Sequence, residues 1–229
     1  MNYRHWSEVR GQRAEGSRQR FGRLCALALS LLALLITGCR LDDGILRRSA
    51  AEYFPLRTNS EWRYDLGGTT SLVQVRGDSL VYNYPVTVVL RDYEEEYWLE
   101  SQGDVRRFVS TVVNRGGTDY PLEQRFRRFY VLPFVLGNSW SDDFDDTVSV
   151  LGEPIHYRHK IEGKVAAVAP VSVPAGNFAD CYEVDRNELL VLNDSVALVT
   201  TQEWFAPGVG LVKCVQGTSE EQLTDFNIP

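Results

Sequence analysis

The chain has 229 residues, 44% of them hydrophobic, with 24 Lys and Arg against 31 Asp and Glu and a net charge of −7. That length is enough for one domain with a substantial core. The acidic balance excludes a nucleic-acid binder, whose affinity depends on clustered cations meeting phosphates.

Residues 1–38 read as an export signal. Arg4, Arg10, Arg13, Arg18, Arg20 and Arg23 stand against only Glu8 and Glu15, and the run from Leu24 to Gly38 is uncharged. A basic segment followed by a short apolar segment is the pattern of a secretory signal. The run falls short of the ~20 apolar residues a spanning helix needs. It ends in Ile36-Thr37-Gly38-Cys39, similar to the bacterial lipobox. That resemblance implies cleavage before Cys39, a diacylglyceryl group on its thiol and acylation of the new amino terminus. Two or three acyl chains hold a protein at a bilayer far more firmly than one, each buried methylene adding about 0.8 kcal/mol. The expected membrane contact is therefore lipid on Cys39. Arg40 does not match the Asp that keeps such proteins at the inner membrane, so an outer-membrane location in the cell envelope is expected. Loss of the signal removes six arginines and two glutamates and shifts the net charge from −7 to −11.

Residues 39–52 read as a lipidated tether, with mixed charge and no periodicity. A single β-domain is expected over 53–217. Trp62, Tyr64 and Leu66 alternate with Glu61, Arg63 and Asp65, the pattern of a half-buried strand. Gly67-Gly68 turns the chain and Thr69 to Val75 returns it. Arg76-Gly77-Asp78 is expected as the next turn, which gives this adhesion-like tripeptide an ordinary explanation. Leu80 to Leu90 follows as a long strand in which Pro85 removes a donor and marks an edge or bulge. Further strands are expected over Tyr93–Glu100, Val105–Val113, Leu122–Leu132, Val148–Leu151, Tyr157–Val168, Cys181–Leu192, Val196–Phe205 and Leu211–Val215, with turns at the intervening Gly, Asn and Pro residues. Residues 218–229 read as a polar tail. Beyond the signal no stretch carries a 3.6-residue apolar stripe. The fold class is therefore mainly β with few helices: an antiparallel curved sheet of about ten strands, forming an incomplete barrel or a sandwich.

One octet recurs. Pro55 and Pro133 each precede a tryptophan, Trp62 and Trp140, by seven residues, with Asn-Ser between. A turn that delivers a large aromatic to the start of a strand needs such residues, and two similar halves of one sheet would follow.

The segments YFPLRTNSEWRYD (53–65), VSVPAGNFADCYEV (171–184) and EWFAPGVGLVK (203–213) resemble landmarks of uncharacterised bacterial envelope lipoproteins of the DUF3108 and TapB-like groups. The resemblance covers both ends of the mature domain and implies a curved antiparallel sheet with no established catalytic residues. Read physically, Pro174-Ala175-Gly176 and Pro207-Gly208 are tight turns, with Pro setting φ and Gly relieving it.

Few residues suggest chemistry. His156 and His159 lie three apart, on opposite faces of a strand, so no metal site is assigned and no cofactor is expected. Asp142, Asp143, Asp145 and Asp146 lack the Asp-x-Asp-x-Asp-Gly loop that wraps calcium and read as a solvated acidic turn. No Gly-x-Ser-x-Gly elbow is present. Cys181 and Cys214 form a possible disulfide, but in a simple meander they sit two strand spacings, ~9.6 Å, apart. Bonding would then need strong twist or a meeting of the outer strands. The expected function is a non-enzymatic binding or assembly module in the envelope, with an envelope protein as partner. The alternatives are a carrier of hydrophobic ligands, prompted by Tyr82, Tyr84, Tyr97 and Trp98, and a hydrolase.

Overall fold

The computed structural model describes residues 52–229. The signal at 1–38, the motif Ile36, Thr37, Gly38 and Cys39, and most of the 39–52 tether lie outside the described residues. Twelve strands follow: β1 (Glu61–Leu66), β2 (Thr69–Val81), β3 (Tyr84–Arg91), β4 (Glu94–Ser101), β5 (Asp104–Arg115), β6 (Thr118–Val131), β7 (Ser139–Val150), β8 (Glu153–Val173), β9 (Gly176–Leu192), β10 (Ser195–Ala206), β11 (Gly210–Gln216) and β12 (Ser219–Asn227). They form a single sheet in the order β6-β5-β4-β3-β2-β1-β12-β11-β10-β9-β8-β7, with every ladder antiparallel. The chain thus makes two six-strand meanders joined by β1 and β12. The sheet curves until its end strands β6 and β7 approach, giving an almost closed barrel, as the alternation and tight turns predict.

The count of twelve agrees with the expected sheet of about ten strands, and the register shows where the elements differ from the sequence reading. The acidic cluster is strand β7, not a turn. Asp142 points inward between Trp140 and Phe144, while Asp143 and Asp145 face outward and pair with Arg158 and His156 of β8. The polar tail is strand β12, laid between β1 and β11. Its Leu223 is fully buried, and Lys213, Arg91 and Arg63 neutralise Glu220, Glu221 and Asp225. The Arg76-Gly77-Asp78 tripeptide is no turn either. It lies inside β2, where Gly77 takes φ of +133° at a bulge opposite β3, and the chain reverses instead at Tyr82-Asn83, both with positive φ. Pro85 falls where the sequence places it, on a stretch of β3 that β4 does not reach.

The recurring octet marks equivalent turns. Asn59 N–H donates to Val75 O and Val75 N–H to Ser60 O; Gly137 N–H donates to Val165 O and Val165 N–H to Asn138 O. Asn59 and Gly137 both take positive φ, three residues before Trp62 and Trp140. Both tryptophans are buried, and both return strands carry a bulge just beyond the shared valine. Each meander is therefore started by the same device.

Trp140 lies flat over its cross-strand partner Gly163. A Cβ at Gly163 would sit 2.2 Å from the indole ring, and the ring cannot swing away because its Nε1–H donates to Phe129 O at 2.9 Å. Gly163→Ala is expected to destabilise the protein by about 2–3 kcal/mol, read as a lowered urea midpoint with an unchanged slope.

Candidate functional site

The concave face of the sheet is where a ligand would enter, and the segment that leads into the domain fills it. Tyr53 is buried, and Pro55 directs the following Leu56 along the inner face. The Phe54 ring packs 4.8 Å from Tyr130, 5.2 Å from Phe205 and 6.2 Å from Trp98. Gly210, with φ of +93°, lets this segment approach: a Cβ there would lie 3.4 Å from Pro55 Cδ and 3.5 Å from Tyr53 O. Aromatic clusters of this kind combine large buried area with favourable edge and offset contacts. Between Phe54, Trp62 and Trp98 a small pocket of about 80 Å³ is left, reached also by Arg91 and Glu96; that volume is well below the ~300–1,000 Å³ of ligand pockets.

Next to this aromatic core the inner face is ionic. Arg91 meets Glu221 at 2.8 Å, Arg107 meets Glu96 at 3.2 Å, and Arg186 meets Glu203 at 2.7 Å as well as Glu188. The Arg107 and Arg186 guanidiniums both lie over the Phe129 ring, at 4.1 and 5.2 Å. Burial lowers the pKa of Arg107 against the pull of Glu96, with neighbouring Arg186 adding to the effect. For Arg186 burial also works against the charge, but Glu203 and Tyr130 prevail and hold the guanidinium above its ordinary value. Tyr130 donates to Glu203 at 3.0 Å.

The most deeply buried part of this layer ties the ends of the sheet together. Arg127 of β6 is 0% exposed. It donates to Glu123 at 2.5 Å, to the Asp142 carboxylate and carbonyl at 2.9 Å each, and to His159 O at 2.8 Å. Arg128 N–H donates to the other Asp142 oxygen at 2.8 Å. Glu123 also accepts from Tyr157 at 2.8 Å and lies 3.0 Å from His159 Nδ1. Burial raises the pKa of Glu123, but the bonds from His159, Arg127 and Tyr157 outweigh it and hold the carboxyl below its usual range.

The alternation of the sequence does not point to Glu123 and Arg127, because two bulges change the face on which β6 side chains fall. Irregularities at Val105/Arg106 and Thr111/Val112 of the β5–β6 ladder each insert one residue and reverse the parity. The even spacing of Leu122, Phe126, Tyr130 and Leu132 predicts one apolar face for this strand; Leu122, Tyr130 and Leu132 are buried, but Phe126 faces outward against Tyr84, with ring centroids 5.6 Å apart. Between the bulges the inward positions are Glu123, Arg125 and Arg127. The legible signal was the pair of alternating charges Glu123 and Arg127 inside an aromatic strand.

The residues proposed from sequence are scattered. His156 and His159 do occupy opposite faces: His156 is half-buried beside Asp145 and His159 is buried beside Glu123. Cys181 and Cys214 are both free thiols. Glu203 of β10 lies beside Cys214 on β11 and beside Val184 on β9, so Cys181 is two strands across and three residues along. That separation is beyond the ~7 Å limit for a disulfide. Burial raises the Cys181 thiol to about 11; burial with Glu203 and Glu221 nearby raises Cys214 to about 12. Of the aromatics considered for a ligand-lined concavity, Trp98 points inward. Tyr82 and Tyr84 pack on the outside against Phe108 and Phe126.

Two open clefts are larger. One, of about 370 Å³, is lined by Phe54, Arg57, Asp78, Thr87, Trp98 and Glu100. Glu100 lines this cleft, where desolvation by the surrounding protein raises its carboxyl to about 7. The other, of about 510 Å³, lies over the outer face of β7 to β9 and is lined by Ser139, Ser141, Glu162, Lys164, Asp185 and Asn187 among others.

No protein-family model matches the chain, and no curated protein matches it. The resemblance to the DUF3108 and TapB-like groups thus stands on its short landmarks alone. Among solved structures the chain is similar to a candidate lipoprotein of Parabacteroides distasonis ATCC 8503, at 14% identity and a TM-score of 0.47 over 77% of this chain and 98% of that one. It is also similar to a candidate exported protein with a YmcC-like fold from Bacteroides fragilis NCTC 9343, at 13% identity and a TM-score of 0.46 over 77% and 99%.

Arg127→Met is expected to cost about 3–5 kcal/mol, because it leaves Glu123 and Asp142 buried without their cation; equilibrium unfolding in urea measures it. Glu100 carries the opposite sign of pH dependence from a stabilising ion pair. Its folded pKa of about 7 exceeds the unfolded value of about 4.3, so its contribution is most favourable at acid pH and declines as pH rises through that window. Glu100→Gln should remove this decline, visible as a flatter profile of unfolding midpoint against pH between about 4.5 and 7.

Proposed function

We propose that the chain is a bacterial envelope lipoprotein, anchored by lipid on Cys39 and located at the outer membrane, whose curved β-domain is a non-enzymatic binding or assembly module. The observation that carries this reading is the order of its parts. An uncharged run closed by Ile36-Thr37-Gly38-Cys39 is followed by a short tether, and Tyr53, the first residue after the tether, is already buried in the core.

The inner face supports the non-enzymatic part. Arg91, Arg107, Arg127 and Arg186 each have a carboxylate partner, Arg125 lies over the Phe144 ring, and the thiol among them, Cys214, is pushed away from the thiolate form that nucleophilic chemistry needs. It also weighs against the hydrophobic carrier. The pocket between Phe54 and Trp62 is about 80 Å³, and the larger cleft that Phe54 also lines carries Arg57, Asp78 and Glu100. Contacts with a partner therefore fall to the outer surface and the strand edges. Glu123, His159 and Tyr157, the arrangement nearest to a hydrolytic constellation, serve instead to hold Arg127 at the seam.

Growth with an alkyne-bearing fatty acid should label the wild-type chain and leave Cys39→Ala unlabelled. The labelled chain should fractionate with outer-membrane markers. Equal labelling of the two would remove the anchor from this reading, and recovery with the inner membrane would remove the location.

A further inference from the structure

The strands differ in length, so several overhang their neighbours and present unpaired backbone on one side. Such edges template pairing with another strand unless a Pro, a charge or a covering element blocks them. Nearly every overhang here is blocked. β3 carries Pro85 where β4 has ended, and β8 carries Pro170 beyond the reach of β7. The free stretch of β2 contains Asp78. That of β5 ends in Arg115 and is covered at Phe108 by Tyr82. The end strands β6 and β7 are tied to each other through Arg127, Asp142 and Trp140.

The exception is the first half of β10. β9 pairs with it from Ser195 onward, but β11 joins only at Thr201. Ser195–Thr200, with sequence SVALVT, has no charge, no proline and no glycine. Val196 and Leu198 are 66% and 64% exposed. On the same outer face they continue into their cross-strand partners Val191 and Leu189, beyond which lie Arg158 and Lys160 of β8. This is a neutral apolar strip on an acidic chain, bounded by charge on one side and ending at open backbone on the other.

From this we infer that the β10 edge is a homodimer interface, formed by antiparallel pairing of Ser195–Thr200 with the same segment of a second copy. The edge is self-complementary. With the two-fold axis at Ala197, Val196 opposes Leu198 of the other copy and the small Ala197 opposes itself. Asp194 meets Thr200, so no like charges are opposed. A register centred one residue later would set Val196 against Thr200 and break the apolar row. The pairing supplies the missing backbone partners and joins two strips of Leu189, Val191, Val196 and Leu198 into one. Because an isologous contact closes on itself, it yields a dimer and not a filament. The electrostatics favour the same site: the edge is neutral, and like-charge repulsion between two chains of net −7 is least there. The inference does not depend on the lipid anchor.

The test uses the full-length chain in detergent. Side chains directly opposite in an antiparallel pair have Cβ atoms about 4.5–5.5 Å apart, so Ala197→Cys should form a disulfide-linked dimer under mild oxidation. Thr200→Cys, equally placed on the edge, would lie about 20 Å from its own copy and should remain at the background of the parent chain. Light scattering of the unmodified chain should give a dimer, and Leu198→Lys, at an exposed position, should weaken it about tenfold or more with an unchanged urea midpoint. Equal cross-linking of Ala197→Cys and Thr200→Cys, a monomer by light scattering, or a ladder of higher species from head-to-tail pairing would each overturn the inference.

Discussion

A curved sheet of twelve strands has to do something with its two ends, and in this protein the answer is one buried guanidinium. β6 and β7 share no backbone ladder. In its place, Arg127 holds the side chain and carbonyl of Asp142 and the carbonyl of His159, while Asp142 reaches back to the Arg128 N–H. The planar fork of arginine suits this role, since it offers several donors in fixed directions and stays charged when buried. Glu123 supplies the countercharge, and Tyr157 and His159 occupy the carboxylate oxygen that Arg127 leaves. Trp140 adds one more stitch to Phe129. The curvature, the aromatic core beneath it and the ion pairs of the inner face all presuppose that this seam is shut.

The same geometry explains why the interior is unlike that of a carrier. A sheet bent this far must fill its concave side, and small barrels do so with side chains. Here part of the filling comes from the segment before the first strand. Tyr53 and Phe54 enter the core, so the first described residues of the chain are structural before any strand begins.

Much of the architecture was legible from residues alone, for reasons that can be named. Gly, Asn and Pro marked the turns at Gly67-Gly68, Gln102-Gly103, Gly116-Gly117, Asn193-Asp194 and Pro207-Gly208 because those turns need positive φ or a fixed one. The octet around Trp62 and Trp140 marked two equivalent turns. Polar strands were the weak point. β7 and β12 are rich in acids and keep their place through ion pairs with Arg158, Arg91, Lys213 and Arg63, which are long-range contacts invisible to a local pattern. The seam was hidden for a different reason. Alternation assigns faces only while the ladder is regular, and two bulges opposite β5 turned Glu123 and Arg127 inward. The free thiols Cys181 and Cys214 were settled by register, which composition does not carry.

The pairing of β1 with β12 has a temporal side. These are the first and last strands of the described sheet, so β1 waits with one edge unsatisfied until the residues from Ser219 onward are in place. Contacts this distant in sequence are slow to form. A folding intermediate without β12 would display the open edges of β1 and β11 together. The described sheet therefore becomes continuous only when its last strand is laid in, and its first strand is among the last to be fully paired.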